Sequence, residues 1–322
     1  MQVVRDLLEL REPLHASAVT IGNFDGVHLA HRALLERVVR SARQAGGKAA
    51  VITFDPHPAK ILAPERAPKT LTTLEAKIAL IEKEHADFLF VLRFSEELAR
   101  LSPEEFVQRI LVEKLGTAVV HVGSNFRFGH RRAGDIQTLL KLGKQSGFRV
   151  EILPTLKIRG QQVSSSRIRQ LVKEGQVRVA GRMLGRPFAL AGPIVTGEGL
   201  GRKQTVPTLN LGPVEQQLPK DGVYITRTRL GGKLHPSVTN VGQKPTFGMY
   251  PVTVESYLLD FSGKADAGAM EIEFLYRLRD EIKFPNSEAL KKQIQTDVRR
   301  SLKFFRLLKM LEGRRVHTST QV

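Results

Sequence analysis

The chain has 322 residues, 41% of them hydrophobic, which is enough for buried cores and long enough to predict two domains. It contains no cysteine, which excludes disulfides, thiolate nucleophiles and Cys-based metal sites and fits a reducing compartment. No apolar run approaches the roughly 18 residues of a membrane span, so we expect a cytoplasmic protein with no membrane partner. With 50 Lys and Arg against 32 Asp and Glu, the formal charge of +18 favours anionic partners such as nucleotides or nucleic acid.

The first half of the chain predicts an open α/β sheet. Short apolar runs alternate with segments of helical periodicity, an order typical of parallel strands joined by right-handed crossovers. The predicted strands are 18–21, 49–54, 88–92, 118–122 and 149–152, and the predicted helices are 30–44, 74–84, 103–115 and 166–173. Ligands of such sheets lie beyond the carboxyl ends of the strands. Loops 22–26 and 53–58 both follow predicted strands, so we expect them to converge on one cleft.

The second half predicts a small antiparallel barrel or sandwich with a helix after it. Short β-branched runs, separated by Gly and Pro, occupy 189–195, 223–229, 235–241, 253–259 and 271–278. Segment 287–311 is apolar at helical spacing and predicts an amphipathic helix. We place the boundary between the halves between Gly175 and Gly185, which gives predicted domains 1–180 and 181–322.

The most informative motif lies between the first predicted strand and its helix. A loop bounded by Gly22 and Gly26 precedes a helix start that carries His28 and His31. The first N–H groups of a helix lack backbone partners and lie at the positive end of its dipole, so the motif predicts a phosphate site. The two histidines share a helix face, from which imidazole N–H groups can stabilise a triphosphate during an in-line displacement. Buried or capping roles are the alternative, and zinc is disfavoured because no third ligand stands at metal spacing.

A second motif in this half places three hydroxyls before two arginines at a predicted helix start, 164–169. Ser165 or Ser166 fits an N-cap, which would be a purely structural role. The same geometry also presents hydroxyls, N–H groups and the guanidinium groups of Arg167 and Arg169 to an anion. Together with the histidine loop, the motif favours phosphate binding.

A third motif, 123–129, interleaves Phe126 and Phe128 with Arg127 and follows the predicted strand 118–122. Aromatic rings beside an arginine can flank a planar ligand, and Asn125 can hydrogen-bond to one. Two phenylalanines that only anchor a loop would give the same pattern, so both interpretations stay open.

The second half contains a glycine-rich turn, 197–203, followed by Thr208 and Asn210. Glycines let backbone N–H groups approach a phosphate, and a hydroxyl and an amide oxygen two residues apart on a strand suit Mg²⁺. An ordinary β-turn before a strand is the alternative. Glu255 lies in another predicted strand, where it is either an outward-facing residue or a carboxylate able to take a proton from an alcohol.

These motifs resemble the prokaryotic bifunctional riboflavin kinase/FAD synthetase family in order and spacing. The first-half segments that carry the resemblance are 22–31, 53–58 (Thr-Phe-Asp-Pro-His-Pro), 123–129 and 164–169. The second half is similar throughout to the riboflavin kinase barrel, at 221–224, 240–247, 254–255 and 273–284. The resemblance runs from about residue 14 to 311.

The resemblance implies a Rossmann-like nucleotidyltransferase domain with a parallel sheet, then a riboflavin-kinase-like antiparallel β-barrel with a C-terminal helix. The barrel would phosphorylate riboflavin to FMN, and the first domain would transfer AMP from ATP to FMN, giving FAD and pyrophosphate. ATP would be the co-substrate of both steps and Mg²⁺ their cofactor. The partners would be these small molecules, with nucleic acid disfavoured and the oligomeric state open.

The resemblance also implies roles for individual residues. His28 and His31 would be catalytic in adenylyl transfer, Glu255 would be the base in the kinase, and Arg279 would lie in a mobile loop near the flavin. The residues implied to bind ATP in adenylyl transfer are Gly22, Asn23, Phe24, Asp25, Gly26, Asn125, Ser164, Ser165, Ser166, Arg167 and Arg169. Those implied to bind ATP in the kinase are Gly197, Gly199, Gly201, Lys203, Thr208 and Asn210, the last two also holding the metal.

Some positions depart from the family pattern, and they leave two alternatives. Gln204-Thr205-Val206 stands where the family usually has Leu-Gly-Phe, Leu209 stands in place of Ala, and no Leu-Tyr-Gly segment is recognisable near 265–269. An FMN adenylyltransferase with an impaired kinase barrel is therefore one alternative. The other is a nucleic-acid-binding module that uses the basic surface, against which no helix-turn-helix or RNA-binding motif is visible.

Overall fold

The computed structural model describes residues 1–10, 12–195, 208–242, 252–261 and 268–318. The chain divides into two compact units, Met1–Arg167 and Ile168–Val322. The first is a parallel α/β unit and the second is built mainly from antiparallel strands, which confirms the predicted fold class.

Six parallel strands form the sheet of the first unit. They are β1 (Gln2–Val4), β2 (Ser17–Ile21), β3 (Ala49–Asp55), β4 (Phe88–Arg93), β5 (Thr117–Gly123) and β6 (Arg149–Leu153). Their order is β1-β4-β3-β2-β5-β6, and each neighbouring pair is parallel. Apart from β1, every strand matches a predicted run to within one residue at each end. β1 has only three residues, too few to show a periodicity.

The helices of the first unit lie mostly between these strands. They are α1 (Leu29–Ala45), α2 (Pro58–Leu62), α3 (Leu74–Glu82), α4 (Glu96–Arg100), α5 (Pro103–Phe106) and α6 (Ile136–Ser146). The next helix, α7 (Ser165–Lys173), begins in the first unit and ends in the second. Helix α5 continues as a π-helix, Val107–Val112, so the predicted helix 103–115 is divided. Short 3-10 turns occupy Leu7–Glu9, Pro64–Arg66 and His130–Arg132, and β7 (Lys157–Ile158) pairs with β8 (Gln161–Gln162).

Both faces of the parallel sheet carry a hydrophobic core. Successive residues of a strand point to opposite faces, so Val51 packs in a cluster with Leu35 of α1, whereas Ile52 packs in another with Leu111 of the π-helix. All four side chains are fully buried, and each contributes roughly 1.5–3 kcal/mol relative to an exposed position. A sheet buried on both sides explains why its strands are continuous apolar runs in the sequence.

The strand order places a topological switch point at β2. Its neighbours are β3 on one side and β5 on the other, so the connections that leave β2 and β5 run in opposite directions across the sheet. Ligands of open α/β sheets bind at such a point, beyond the carboxyl ends of the strands. The loop 22–26 and the loop after β5 both begin there.

The second unit contains a closed six-stranded barrel. Its elements are α8 (Val177–Leu184), β9 (Phe188–Val195), β10 (Leu209–Leu211), β11 (Gly222–Leu230), β12 (Lys233–Gly242), β13 (Thr253–Leu258), β14 (Ala269–Arg279) and α9 (Ser287–Thr318). The barrel order is β10-β13-β12-β11-β14-β9, with antiparallel pairing throughout. The segment between Gly175 and Gly185, where the predicted boundary lies, forms α8.

A closed ring of five hydroxyl groups lies inside the barrel. In ring order the residues are Thr226, Ser237, Thr228, Ser256 and Thr239, and consecutive oxygens are 2.7 to 3.1 Å apart. All five side chains are fully buried. Each hydroxyl has one proton to donate and accepts from the other side, so the ring satisfies its own hydrogen bonds without water.

Candidate active sites

The loop after β2 has a strained but well-anchored backbone. Phe24 and Val27 take positive φ angles of 47° and 36°, a region that residues with a side chain rarely adopt. Both side chains are buried, which holds the loop against the core. The Thr53 hydroxyl donates to the Asn23 carbonyl at 3.2 Å, and Asp25 Oδ1 accepts the Leu71 N–H at 2.8 Å. Anchors from β3 and from the segment before α3 therefore fix the predicted phosphate loop.

His28 and His31 lie where the loop enters α1. His28 is the N-cap of the helix, and its Nδ1 accepts the backbone N–H of His31 at 3.3 Å. A neutral His28 ring therefore carries its proton on Nε2. Burial lowers the pKa of His31 well below 6.5, and the nearby charges of His28 and Lys77 lower it further. The capping role considered as an alternative is therefore present in the structure.

The serine motif and the histidine loop meet in the structure. Ser165 Oγ donates to the backbone carbonyl of Asp25 at 2.9 Å. Ser164 Oγ accepts the N–H of Arg167 at 3.3 Å, so Ser164 caps α7, and the expectation of Ser165 or Ser166 as the N-cap was wrong. A hydroxyl one position earlier caps the helix because α7 begins at Ser165. Ser166 is exposed, Arg167 also donates to Gln161, and Arg169 follows on the same helix.

A cleft of about 920 Å³ lies beside this loop in the first unit. Gly22, Asn23 and Asn125 line it together with the loop 53–58, so the predicted convergence of loops is confirmed. Its lining includes five phenylalanines and a group of basic side chains. The phenylalanines are Phe54, Phe94, Phe106, Phe126 and Phe128, and the basic residues include Arg100, Arg127, His130, Arg131 and Arg132.

The two phenylalanines of the third motif have different environments. Phe128 is buried and belongs to the core cluster, whereas Phe126 is partly buried and packs against it. Their rings stack with centroids 5.5 Å apart and planes 16° from parallel. Both rings also line the cleft, so the anchoring role and the ligand-flanking role that the sequence leaves open are compatible.

Lys77 of α3 is a residue of this site that the sequence analysis missed. Its Nζ lies 3.5 Å from the Thr53 hydroxyl. Burial lowers its pKa, and the charges of Asp25 and Asp55 oppose that shift. A lysine in a helix is ordinary in sequence, and nothing in the local pattern distinguishes this one from a solvated side chain. His57 was likewise not singled out, and it contacts the Asn23 side chain through Nε2 at 3.1 Å.

Glu255 lies in the middle of three strands of the second unit. It pairs in register with Asn210 of β10 on one side and with Asn240 of β12 on the other. Its neighbour Ser256 points into the barrel, so Glu255 lies on the outer face, half-buried. Asn240 Nδ2 donates to Glu281 at 3.4 Å, and a side chain at Gly242 would collide with the Glu281 carboxylate. Asn240 and Glu281 are thus further polar residues near Glu255.

The remaining predicted kinase residues are only partly described. Thr208 is exposed and immediately precedes β10, which carries Asn210 as a half-buried residue. Gly197, Gly199, Gly201 and Lys203 lie outside the described residues.

Arg279 is the last residue of β14 rather than part of a loop. Its Nε and Nη2 atoms lie 2.9 and 2.8 Å from Asp297 Oδ2 of α9. Asp297 is almost fully buried and also accepts from Gln293 at 3.0 Å. Its carboxylate therefore fixes the guanidinium that the resemblance places in a mobile loop.

The described ranges contain no group of three or more His, Asp or Glu side chains that could hold a metal ion. No helix in them combines the length and the apolar character needed to cross a membrane.

Comparison with known proteins gives matches for both units. The family model for FAD synthetase matches residues 10–167, and that for riboflavin kinase matches 184–305. A bifunctional riboflavin kinase/FMN adenylyltransferase from Pseudomonas fluorescens is 38% identical over 92% of this chain and 96% of its own. The protein of the same description from Escherichia coli K12 is 33% identical over 96% and 99%.

A solved structure described as a macrolide-efflux protein from Streptococcus pneumoniae is also similar. It has 26% identity and a TM-score of 0.82, with 92% of this chain and 96% of that chain covered. The described efflux role concerns that protein. Its likeness to this chain extends across both units.

The first unit has a parallel sheet with an anchored loop at its switch point, and the second has a barrel that carries a carboxylate between two asparagines. These features define the class of the protein as a two-domain nucleotide-dependent transferase. The chain belongs to the family of bifunctional riboflavin kinase/FMN adenylyltransferases. Its substrates are riboflavin, FMN and ATP, and its product is FAD. The presence of both family domains favours this assignment over an adenylyltransferase alone or a nucleic-acid-binding module.

Proposed function

We propose that the two reactions are divided between the units, with adenylyl transfer at the switch point of the sheet and riboflavin phosphorylation on the outer face of the barrel. The observation that carries the first assignment is the hydrogen bond from Ser165 Oγ to the Asp25 carbonyl. This bond brings the serine motif onto the loop that leads to His28. Two motifs 140 residues apart in the chain thus form one polar surface suited to a phosphate chain.

In adenylyl transfer, an oxygen of the FMN phosphate attacks the α-phosphorus of ATP. The bond from that phosphorus to the bridging oxygen breaks, and its electron pair leaves with pyrophosphate. Negative charge therefore grows on the leaving group, and donors fixed around it lower the barrier. We assign this role to His28 and His31 and to the N–H groups at the start of α1.

The other predicted ligands of this ATP stay part of the proposal. The residues are Gly22, Asn23, Phe24, Asp25 and Gly26 of the loop, Asn125 after β5, and Ser164, Ser165, Ser166, Arg167 and Arg169 at α7. Phe24 and Asp25 act through the backbone of the loop, since Phe24 is buried and Asp25 Oδ1 accepts the Leu71 N–H.

The isoalloxazine ring of FMN would occupy the cleft lined by Phe54, Phe94, Phe126 and Phe128. A flat tricyclic ring needs apolar walls along both faces and a polar opening for its phosphate chain. The cleft supplies the walls, its volume of about 920 Å³ admits such a ligand, and Asn23 of the phosphate loop is one of its lining residues.

In the kinase reaction, Glu255 would take the proton of the terminal ribityl hydroxyl as the oxygen attacks the γ-phosphorus of ATP, and ADP leaves. Its place on an outer barrel face, between Asn210 and Asn240, supports this role. Gly197, Gly199, Gly201 and Lys203 stay predicted ligands of the phosphates. Arg279 stays a predicted flavin ligand, held in place by Asp297.

Mg²⁺ is the proposed cofactor. The Thr208 hydroxyl and the Asn210 amide oxygen are hard oxygen donors, and Asn210 pairs with Glu255, so the donor set fits this ion. When bound with ATP, Mg²⁺ offsets the charge of the phosphate oxygens. We also propose that the boundary between the two domains lies at residue 180. A cytoplasmic location is proposed because both steps consume ATP.

Incubation of the purified chain with ATP and Mg²⁺, once with riboflavin and once with FMN, tests the proposal. Separation of flavins by HPLC should show FMN and FAD in the first case and FAD in the second. FAD from FMN but no product from riboflavin would mean that the barrel is inactive. Salt-dependent binding of RNA with no flavin product in either case would support the nucleic-acid alternative.

A further inference from the structure

The side chain of Lys77 ends among the groups that we assign to the ATP phosphates. α3 begins after Thr73, and Lys77 lies in its first turns. The ammonium is 3.5 Å from the hydroxyl of Thr53, which itself donates to the carbonyl of Asn23 in the phosphate loop. It is also near enough to His31 to affect the titration of that ring. Hydrogen bonds thus link Lys77, Thr53 and Asn23 at the carboxyl ends of β2 and β3.

Lys77 is half-buried, and its contacts with the described residues leave the ammonium without a close counter-ion. Within the part of the chain that the structure describes, its Nζ makes no ion pair, and its hydrogen bond to Thr53 is long. Asp25 and Asp55 act on it electrostatically, but Asp25 Oδ1 is already engaged with the Leu71 N–H. Withdrawing a charge from water without a close counter-ion is unfavourable even when burial is partial, and such groups are frequent at sites that bind a ligand.

We propose that Lys77 binds a phosphate oxygen of ATP in the adenylyl transfer reaction and is a catalytic residue of that site. This inference rests on the proposed location of that reaction. Lysine is suited to the role because its compact charge is carried on a flexible stem, and the ammonium can leave Thr53 for a phosphate without a change in the backbone. The bond that forms joins the FMN phosphate to the α-phosphorus, and Lys77 offsets the charge that leaves with pyrophosphate. No proton is transferred to or from Lys77 in this step.

The charge of Lys77 gives the inference a second, independent readout. Only the protonated amine can bind the phosphate. Since burial lowers its pKa, adenylyl transfer should decline on the alkaline side at a lower pH than an exposed lysine would allow. The charged and titratable groups that face Lys77 are Asp25, Asp55 and His31, and the first two oppose the shift.

Three variants test the inference, with the kinase activity of the same chain as an internal control. Lys77→Met should lower kcat/KM for FAD formation from FMN on the order of 10²-fold, as for the loss of one transition-state donor, while riboflavin phosphorylation changes less than about twofold. Lys83→Met is the matched control, because Lys83 ends the same helix and is exposed, and it should leave both activities unchanged. Lys77→Arg should keep measurable adenylyl transfer and shift its alkaline limb to higher pH, since arginine stays charged.

The outcomes separate this inference from the proposed function. Lys77→Met with normal FAD formation would overturn the inference alone, because wild-type adenylyl transfer would still stand. A wild-type chain that makes no FAD would instead overturn the proposed function. If Lys77→Met fails to fold, the Lys77→Arg profile decides: an unmoved alkaline limb excludes Lys77 as the titrating phosphate ligand.

Discussion

The imidazole rings of His28 and His31 stack with centroids 3.6 Å apart and planes 14° from parallel. Two imidazolium cations at this distance would repel each other, so the pair is stable only when at most one ring is protonated. The lowered pKa of His31, due to burial and to His28, agrees with this geometry. His31 is therefore neutral at pH 7, and its imidazole offers one N–H donor.

The first prediction concerns His28, which both caps α1 and faces the proposed phosphate site. His28→Ala should lower FAD formation from FMN on the order of 10²-fold or more, because a donor to the transition state is lost. It should also reduce stability by about 1 kcal/mol, because the Nδ1 acceptor of the His31 N–H is lost. His28→Asn restores a cap acceptor and should recover the stability but not the activity. HPLC of flavins and thermal unfolding measure the two effects.

Riboflavin phosphorylation is the control in these variants and should be unchanged. If FMN formation fell together with FAD formation in His28→Asn, the division of the two reactions between the units would be wrong.

The second prediction concerns Glu255. Glu255→Gln keeps the shape of the side chain between Asn210 and Asn240 but removes its ability to accept a proton. FMN formation should stop, and conversion of supplied FMN to FAD should continue at the wild-type rate. The four tyrosines, Tyr224, Tyr250, Tyr257 and Tyr276, all belong to the second half of the sequence and there is no tryptophan, so tyrosine fluorescence verifies that the barrel has folded. Equal loss of both reactions would contradict the assignment of Glu255.

The third prediction concerns the ion pair of Arg279 and Asp297. Asp297→Asn removes the buried counter-charge of the guanidinium and should destabilise the second unit by about 3 kcal/mol. The KM for riboflavin should rise, because Arg279 is no longer fixed, whereas adenylyl transfer to FMN should not change. Urea unfolding followed by tyrosine fluorescence and initial-rate kinetics measure these effects. Glu288→Gln, at an exposed position of the same helix, is the control, and a riboflavin KM equal to that of the control would exclude Arg279 as a flavin ligand.

The fourth prediction concerns acid stability of the first unit. The pKa values of His31 and His121 are both below 6.5, in each case chiefly through burial, so the unfolded chain binds more protons at acidic pH. The free energy of unfolding should therefore fall as the pH drops below about 6.5, by up to about 1.4 kcal/mol per pH unit for each histidine. His31→Gln should reduce the slope of the unfolding free energy against pH by the contribution of one histidine. Hydrogen exchange of α1 and β5 peptides between pH 7.5 and 5.5 measures it, and an unchanged slope would show that His31 does not titrate as proposed.

The sequence predicted the strands of the parallel sheet well, missed the helix α6, and predicted local chemistry less well. Strands such as β3 are continuous apolar runs because both faces of the sheet are buried, and such runs are visible without a structure. β10 has three residues, too few for an apolar run, and only the glycine-rich turn before it indicates a strand at Asn210. The hydroxyl that caps α7 could not be chosen from three adjacent serines, because the choice depends on where the helix begins.

Residues whose role depends on tertiary contacts were the least predictable. Arg279 and Asp297 are 18 positions apart, and only the packing of α9 joins them. Lys77 has no sequence feature that separates it from an exposed lysine. His28, Asn23 and Ser165, by contrast, stand in motifs whose spacing reflects the geometry of a strand, a loop and a helix start, and the structure brings Asn23 and Ser165 to the same loop as His28.

The hydroxyl ring inside the barrel has a consequence for Glu255. Because five oxygens share five protons around a closed circuit, every donor must point the same way round, and one reversed hydroxyl would force the other four to reverse with it. Ser256 and Thr239 of the circuit are the chain neighbours of Glu255 and Asn240. The strands that carry Glu255 and Asn240 on the outer face are thus joined inside the barrel by the hydroxyl ring. This ring has only two hydrogen-bond arrangements, one for each direction in which the donors can point.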